Sequence, residues 1–273
     1  MKKDNGTLIV FIILGLIILG IIGFFVYDQG YISLGKKKQN NKETKEINIK
    51  EEILNNSEIE NKLKNNIEIL EKLEFLGNNV EHYYREGDIY YKNIKEKDIK
   101  KGVKLYAVLN YVYFDNNYFI DDNKTHNDLR KSTDFNKINK LYKSIFGEDA
   151  SADDFGINNC PHYEYDSAAK KIYGYAACGG TSQYWILTKP NKFTNKGNNY
   201  YVYVNFAVVE SGEKVYTNYD KTKIYNGNID NTTIRDKEKF FTEENKSNFS
   251  EYKYTFKKTK AGNYKFISIE KIK

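Results

Sequence analysis

From Leu8 to Val26 the chain reads LIVFIILGLIILGIIGFFV, without a single charged residue. At 1.5 Å of rise per residue, a helix of this length covers about 28 Å, close to the hydrocarbon thickness of a bilayer. The run therefore reads as a membrane-spanning helix, and it fixes where the rest of the chain can fold. A cleaved signal peptide would need small residues in an A-x-A-like arrangement, whereas this run ends Gly23-Phe24-Phe25-Val26-Tyr27. No cysteine stands near it for a lipoprotein anchor, and Gly15, Gly20 and Gly23 form no G-x-x-x-G pair for helix dimerisation. Tyr27 and Tyr31 fit interfacial aromatics just outside the span. The expected organisation is a cytoplasmic tail at 1–6, a transmembrane helix at 7–27, a polar linker at 28–48 and an extracytoplasmic domain at 49–273.

Two rules disagree about orientation. Lys2 and Lys3 precede the span while Lys36, Lys37, Lys38, Lys42 and Lys45 follow it, so a lysine count places the C-terminal domain in the cytoplasm. The chain has only two cysteines, Cys160 and Cys178, in strand-like sequence, which suits a structural disulfide and an oxidising compartment. The lysine cluster begins about ten residues past the span, and long domains translocate largely regardless of charge. The cysteine argument is preferred, and the domain is read as external.

The domain opens with helical periodicity. Ser57-Glu58-Ile59-Glu60 matches a capping box, and Ile59, Leu63, Ile67, Leu70 and Leu73 define one apolar face up to about Leu76, where Gly77 is a stop. His82–Asn93 reads as a strand or ordered loop. A second helix is expected from Lys97 to Tyr113. A polar loop, DNNYFIDDNKTHNDLRK, then leads to a third helix, which has Ser132 or Thr133 as its cap and closes at Gly147. After Gly147 the period changes to two. Strands are expected at 162–166, 171–177, 182–187, 200–209, 215–219, 251–257 and 264–269, with a weak helix at 235–244. In the final strand Tyr264 and Phe266 alternate one way and Ile267 and Ile269 the other, so it is either covered on both faces or bulged near Phe266. The fold class is α+β, with helices (49–147) packed on one face of a single, mostly antiparallel curved sheet formed by the strand-rich remainder (148–273).

The anchor ending Val26-Tyr27-Asp28, the KLYKSIFG segment from Lys140, the Cys160…Tyr165-Asp166…Cys178-Gly179-Gly180 stretch and the terminal YKYTFKKTKAGNYKFISIEKI together resemble uncharacterised, membrane-anchored extracytoplasmic proteins of low-GC Gram-positive bacteria. The resemblance covers most of the chain, and it implies topology and a disulfide but no activity. A cystatin-like or NTF2-like arrangement is an analogy only.

Chemistry-bearing patterns are few. Cys160 and Cys178 with His162 form neither a CxxC nor a TLxTC-type motif, and the simpler reading is a Cys160–Cys178 bridge. His82, His126 and His162 are too scattered for a ligand set, and Asp121-Asp122-Asn123 and Asp153-Asp154 lack the spacing of a calcium loop. No glycine-rich phosphate motif occurs. The net charge of +6, from 43 basic and 37 acidic residues, argues against a nucleic-acid partner. No catalytic residue, metal or cofactor is expected. The positive signal is aromatic: with 25 tyrosines in the chain, Tyr163, Tyr165, Tyr173, Tyr175, Tyr184 and Trp185, followed by Tyr200, Tyr201 and Tyr203, crowd the strands beside the cysteines. An exposed aromatic face there would stack on sugars or peptides, whereas a structural role would need only half-buried strand positions. The expected function is a noncatalytic envelope binding or interaction domain that contacts peptidoglycan, a wall polymer or another envelope protein. The alternative is an envelope enzyme with a Cys-based or unlocated carboxylate site.

Overall fold

The computed structural model describes residues 50–73, 93–122, 130–156, 161–175, 184–210, 214–227 and 237–273, all within the unit Ile49–Lys273. The run Leu8–Val26, both cysteines, His82, His126 and most of the expected strand 82–93 lie outside the described residues. Among the described residues no helix is long and apolar enough to cross a membrane.

A two-residue strand, β1 (Glu52–Ile53), precedes helix α1 (Ser57–Glu71). The cap is Asn56 rather than Ser57: its side-chain oxygen accepts from the Ile59 N–H at 3.1 Å, which satisfies one of the helix's orphan donors from one residue earlier than expected. Leu63, Ile67 and Leu70 are buried, as their spacing requires. After β2 (Ile94–Lys95), residues Glu96–Asp98 close a 3-10 turn, so α2 (Lys101–Val112) starts later than the apolar spacing from Lys97 indicates. Val103 through Leu109 are all buried, and α1 and α3 both pack against this helix.

Strands β3 (Ile120–Asp121) and β4 (Arg130–Asp134) lead into α3 (Phe135–Phe146). Ser132 and Thr133 lie inside β4, paired with Tyr173 and Ile172, and cannot serve as the cap. Asp134 takes that role, accepting from the Asn136 N–H at 2.7 Å, while Gly147 ends the helix in the left-handed conformation at φ 72°.

The remaining chain is β5 (His162–Asp166), β6 (Lys171–Tyr175), β7 (Tyr184–Lys196), β8 (Asn199–Glu210), β9 (Lys214–Tyr216), the short helix α4 (Lys237–Phe240), β10 (Ser250–Lys258) and β11 (Tyr264–Lys271). The fold is α+β, with helices against antiparallel strands, but the strands divide into two sheets where one was expected. The larger has seven strands in the order β1-β7-β8-β10-β11-β2, with β9 beside the far end of β8, and the smaller is β3-β4-β6-β5. In β8 the even positions Tyr200, Val202, Val204 and Phe206 enter the main core with Tyr252, Tyr254 and Phe256 of β10 and the helices. Ala207 and Val209 point the other way, into a second cluster with Leu187, Val215, Phe240, Phe241 and Phe249.

The conflicting period of the last strand is settled by a bulge. Phe256 pairs with Phe266 and Thr255 with Ser268, which leaves Ile267 as the extra residue and lets Tyr264, Phe266 and Ile269 all face the core. Gly262, at φ 81°, makes the hairpin turn between β10 and β11.

Candidate functional site

The β5–β6 hairpin carries four of the eight tyrosines the sequence singles out. Its turn is held by the Asp166 carboxylate, which accepts from the N–H groups of Ala168 and Ala169 at 2.9 and 3.0 Å. Pairing of Tyr163 with Gly174 and of His162 with Tyr175 fixes which residues share a face.

Tyr163 is turned inward, which corrects its place on an exposed aromatic face. It is 5 % exposed, its hydroxyl donates to Asn110 Oδ1 at 2.9 Å, and its ring meets Tyr106 and Tyr113 edge-on. Burial pushes its hydroxyl far above the usual tyrosine range. The cause is physical: Gly174 opposite it has no side chain, so the Tyr113 ring fills that space and draws the hairpin onto α2. Tyr165, on the same face, is half-buried; its ring stacks on that of Phe155 at 5.2 Å and packs tilted against that of Phe135 at 4.8 Å.

The opposite face of this sheet carries Arg130, Tyr175 and His162 in one row and Ser132, Tyr173 and Glu164 in the next. The Arg130 guanidinium lies 3.8 Å from the Tyr173 ring centre and 5.7 Å from that of Tyr175. His162 Nε2 is 3.3 Å from Glu164 Oε1, and the Tyr175 hydroxyl donates to Glu164 Oε2 at 3.4 Å. Partial burial and the Glu164 charge raise the Tyr175 hydroxyl above its ordinary value. Tyr173 and Tyr175 are half-buried, so this face is aromatic but already engaged by its own cation.

A second aromatic face lies on the larger sheet. Tyr201 and Tyr203 are the odd positions of β8, half-buried on the side away from the main core. The Lys253 ammonium is 5.6 Å from the Tyr201 ring and that of Lys192 is 4.9 Å from the Tyr203 ring. Tyr203 donates to Glu51 Oε1 at 3.0 Å, and Thr194 also donates to this carboxylate. Burial, reinforced by the Glu51 hydrogen bond and charge, pushes the Tyr203 hydroxyl up to about 12. The Thr194 hydrogen bond outweighs burial in holding Glu51 below its usual value.

A polar seam closes one end of this face. Asn191 Nδ2 donates to Asn205 Oδ1 at 2.7 Å and to Glu251 at 3.1 Å, and Asn205 Nδ2 donates to the Lys246 carbonyl at 3.2 Å. Beyond the seam the segment 237–249 covers Ala207 and Val209. Tyr184 and Trp185 belong to β7, opposite Glu210 and Val209, and their side chains lie outside the described residues.

Asp154 accepts from the Ser151 N–H at 2.7 Å, a turn contact, and among the described residues no group of three or more His, Cys, Asp or Glu is placed to hold a metal ion. The cavity between α2 and the Asp154–Gly156 stretch has a volume of about 10 Å³, room for roughly one water. Comparison with family models, with curated proteins and with solved structures finds no match.

Tyr201 and Tyr203 were within reach of the sequence, since the alternation of NYYVYVNF puts both on one face. Their lysine neighbours were not, because Lys192 and Lys253 become neighbours only through the registers of β7 and β10 with β8. Arg130 lay in a stretch read as a polar loop, and its stacking partner Tyr173 is set by strand pairing alone.

Proposed function

We propose that the chain is a membrane-anchored extracytoplasmic protein, held by residues 7–27, whose Ile49–Lys273 unit is a noncatalytic binding or interaction domain of the cell envelope. This is the kind of protein that its sequence resembles in low-GC Gram-positive bacteria. The observation that carries the binding reading is the outer face of the seven-stranded sheet, where half-buried Tyr201 and Tyr203 stand among lysines with no described element over them. Its partners would be peptidoglycan, a wall polymer or another envelope protein, and no cofactor enters the reading. By analogy with cystatin-like or NTF2-like folds, the helices pack against one side of a long antiparallel sheet; the four-stranded sheet is an addition to that layout.

The topology rests on a Cys160–Cys178 bridge. His162 and Tyr175 are the last described pair of the hairpin, so the cysteines lie two residues before and three residues after it in sequence. A second reading, an envelope enzyme, draws on the contact between His162 Nε2 and Glu164, because Cys160 is two residues from that imidazole in sequence. One experiment separates the two: label intact cells with a membrane-impermeant thiol reagent before and after reduction. Labelling only after reduction fits an external bridge. Labelling without reduction favours the thiol enzyme, and labelling only after cell lysis overturns the external topology.

A further inference from the structure

The registers of β7 and β10 with β8 place four lysines at the corners of a rectangle. Lys192, Tyr203 and Lys253 form one row across the three strands, and Lys196, Asn199 and Lys257 form another. The two rows lie four residues apart on each strand, about 14 Å along the sheet, and the outer strands are about 10 Å apart across it. Tyr201 and Tyr203 run up the middle. Lys95 adds a fifth outward cation where β2 pairs with Ser268, and the carboxylates on this side are Glu51, Glu270 and, at the polar seam beside Asn205, Glu251. Glu270 meets Lys253 at 3.5 Å, while Lys192, Lys196 and Lys257 are exposed. The whole chain carries 43 basic against 37 acidic residues, so five lysines to three glutamates on a face that no described element covers is a local concentration.

We infer that this face binds a polyanionic chain, laid along β8 over the two tyrosines, and that the chain is a phosphodiester-linked polyol. The inference rests on the binding reading above and names its ligand. The lysines supply charge at a spacing that suits a repeating anion and not a single one. An ammonium already stands against each tyrosine ring, so the face presents cations where a nucleic acid would need bare rings for its bases to stack on. Thr255 and Ser268 continue the Tyr201 row and add hydroxyl partners for a polyol, while Thr194, in the same row, is buried with its hydroxyl already donated to Glu51.

The test uses the full chain in neutral detergent with three probes: poly(glycerol phosphate), a single-stranded DNA oligonucleotide and neutral dextran. Poly(glycerol phosphate) is expected to bind best. With four phosphate contacts its affinity should fall about 50-fold between 50 and 200 mM salt. Lys192→Glu with Lys253→Glu should weaken it at least about tenfold, whereas Lys97→Glu with Lys140→Glu, the same charge change on other surfaces, should leave it within about twofold. If the first pair fails to fold, Lys196→Gln with Lys257→Gln, at exposed rim positions, takes its place. No binding at 50 mM salt, equal losses in both charge pairs, tighter binding of DNA, or equal binding of dextran each overturns the inference. Cell-surface thiol labelling is independent of these outcomes, so an external protein that ignores the polymer refutes the ligand alone.

Discussion

Lys104 is a charged side chain, only 3 % exposed, in the middle of an otherwise apolar stretch of α2. Its ammonium contacts Glu96 from the turn before the helix and Glu148, just after α3, at 3.0 Å. Each carboxylate has a second cation: Lys265 of β11 lies 3.4 Å from Glu96, and Lys101 lies 3.2 Å from Glu148. The cluster therefore has one buried charge at its centre and four more accessible ones around it. This asymmetry fixes the outcome of taking it apart. Replacing Glu96 and Glu148 together by glutamine strands the central cation, and an uncompensated buried charge costs about 3–5 kcal/mol. Lys104→Met strands nothing, because both carboxylates keep a lysine and the methionine fills a similar volume. Its cost is the lost ion pairing plus a cation–π contact with Phe146 at 5.5 Å, about 1–2 kcal/mol in all.

Thermal unfolding of the full chain in detergent, followed by circular dichroism, reads these numbers out. A unit of this size loses about 2–4 °C of Tm per kcal/mol, so the double glutamine variant should fall by about 6–20 °C and Lys104→Met by about 2–8 °C. The decisive variant is the triple one, Lys104→Met added to both glutamines. It should regain part of the loss, since no charge is left stranded. A triple variant no more stable than the double one would refute the reasoning, because the cost would then lie in packing and not in the buried cation.

Gly174→Ala would put a Cβ 2.6 Å from the Tyr113 ring and 3.0 Å from that of Tyr163, so it should destabilise by about 1–3 kcal/mol, visible as a lower urea midpoint. Glu148 would be raised by burial, but the hydrogen bonds and charge of Lys104, with Lys101, outweigh this and hold it below the ordinary value of 4.5. Its contribution to stability is therefore fully present above about pH 4.5 and lost as the pH falls through the lower folded value, and Glu148→Gln should flatten that acid limb in pH-dependent denaturation. Cys160→Ser and Cys178→Ser should each cost about 3 kcal/mol and lower Tm by similar amounts, and unchanged stability in either would remove the bridge.

The elements were legible where one physical signal acts alone. Leu63, Ile67 and Leu70 repeat on one helical face, Gly147 stops α3, and Tyr252, Tyr254 and Phe256 alternate cleanly into the core. They were misplaced where a non-local partner decides. Ser132 and Thr133 are good caps by type, but pairing with β6 claims their backbone and moves the cap to Asp134. The strand expected at 182–187 runs on past Pro190 to Lys196, because its register with β8 shifts at Asn191, between Pro190 and Lys192, and absorbs the irregularity. The division into two sheets was likewise hidden, since it depends on β4 pairing with β6, a strand far along the chain.

The same distinction governs the candidate sites. Tyrosine count pointed to the hairpin beside the cysteines, but a tyrosine faces solvent only if its strand neighbours leave it there. Tyr163 lies opposite Gly174, which lets helix α2 and the Tyr113 ring close over it, so it becomes core. Tyr201 and Tyr203 lie on the central strand of a sheet whose other side is already filled by the helices, so they remain on the outer face. What that face can recognise is set by its neighbours across the strands, and these are Lys192 and Lys253. Recognition on this protein thus depends on strand register: a shift of one residue in β10 would turn Lys253 into the core and bring Tyr252 or Tyr254 out beside Tyr203. The bulge at Ile267 lies on the β11 side of β10, away from β8, and leaves the register of β10 with β8 unbroken from Ser250 to Lys257. The irregularity that the last strand needs in order to fill the core is thereby kept out of the surface that carries the lysines.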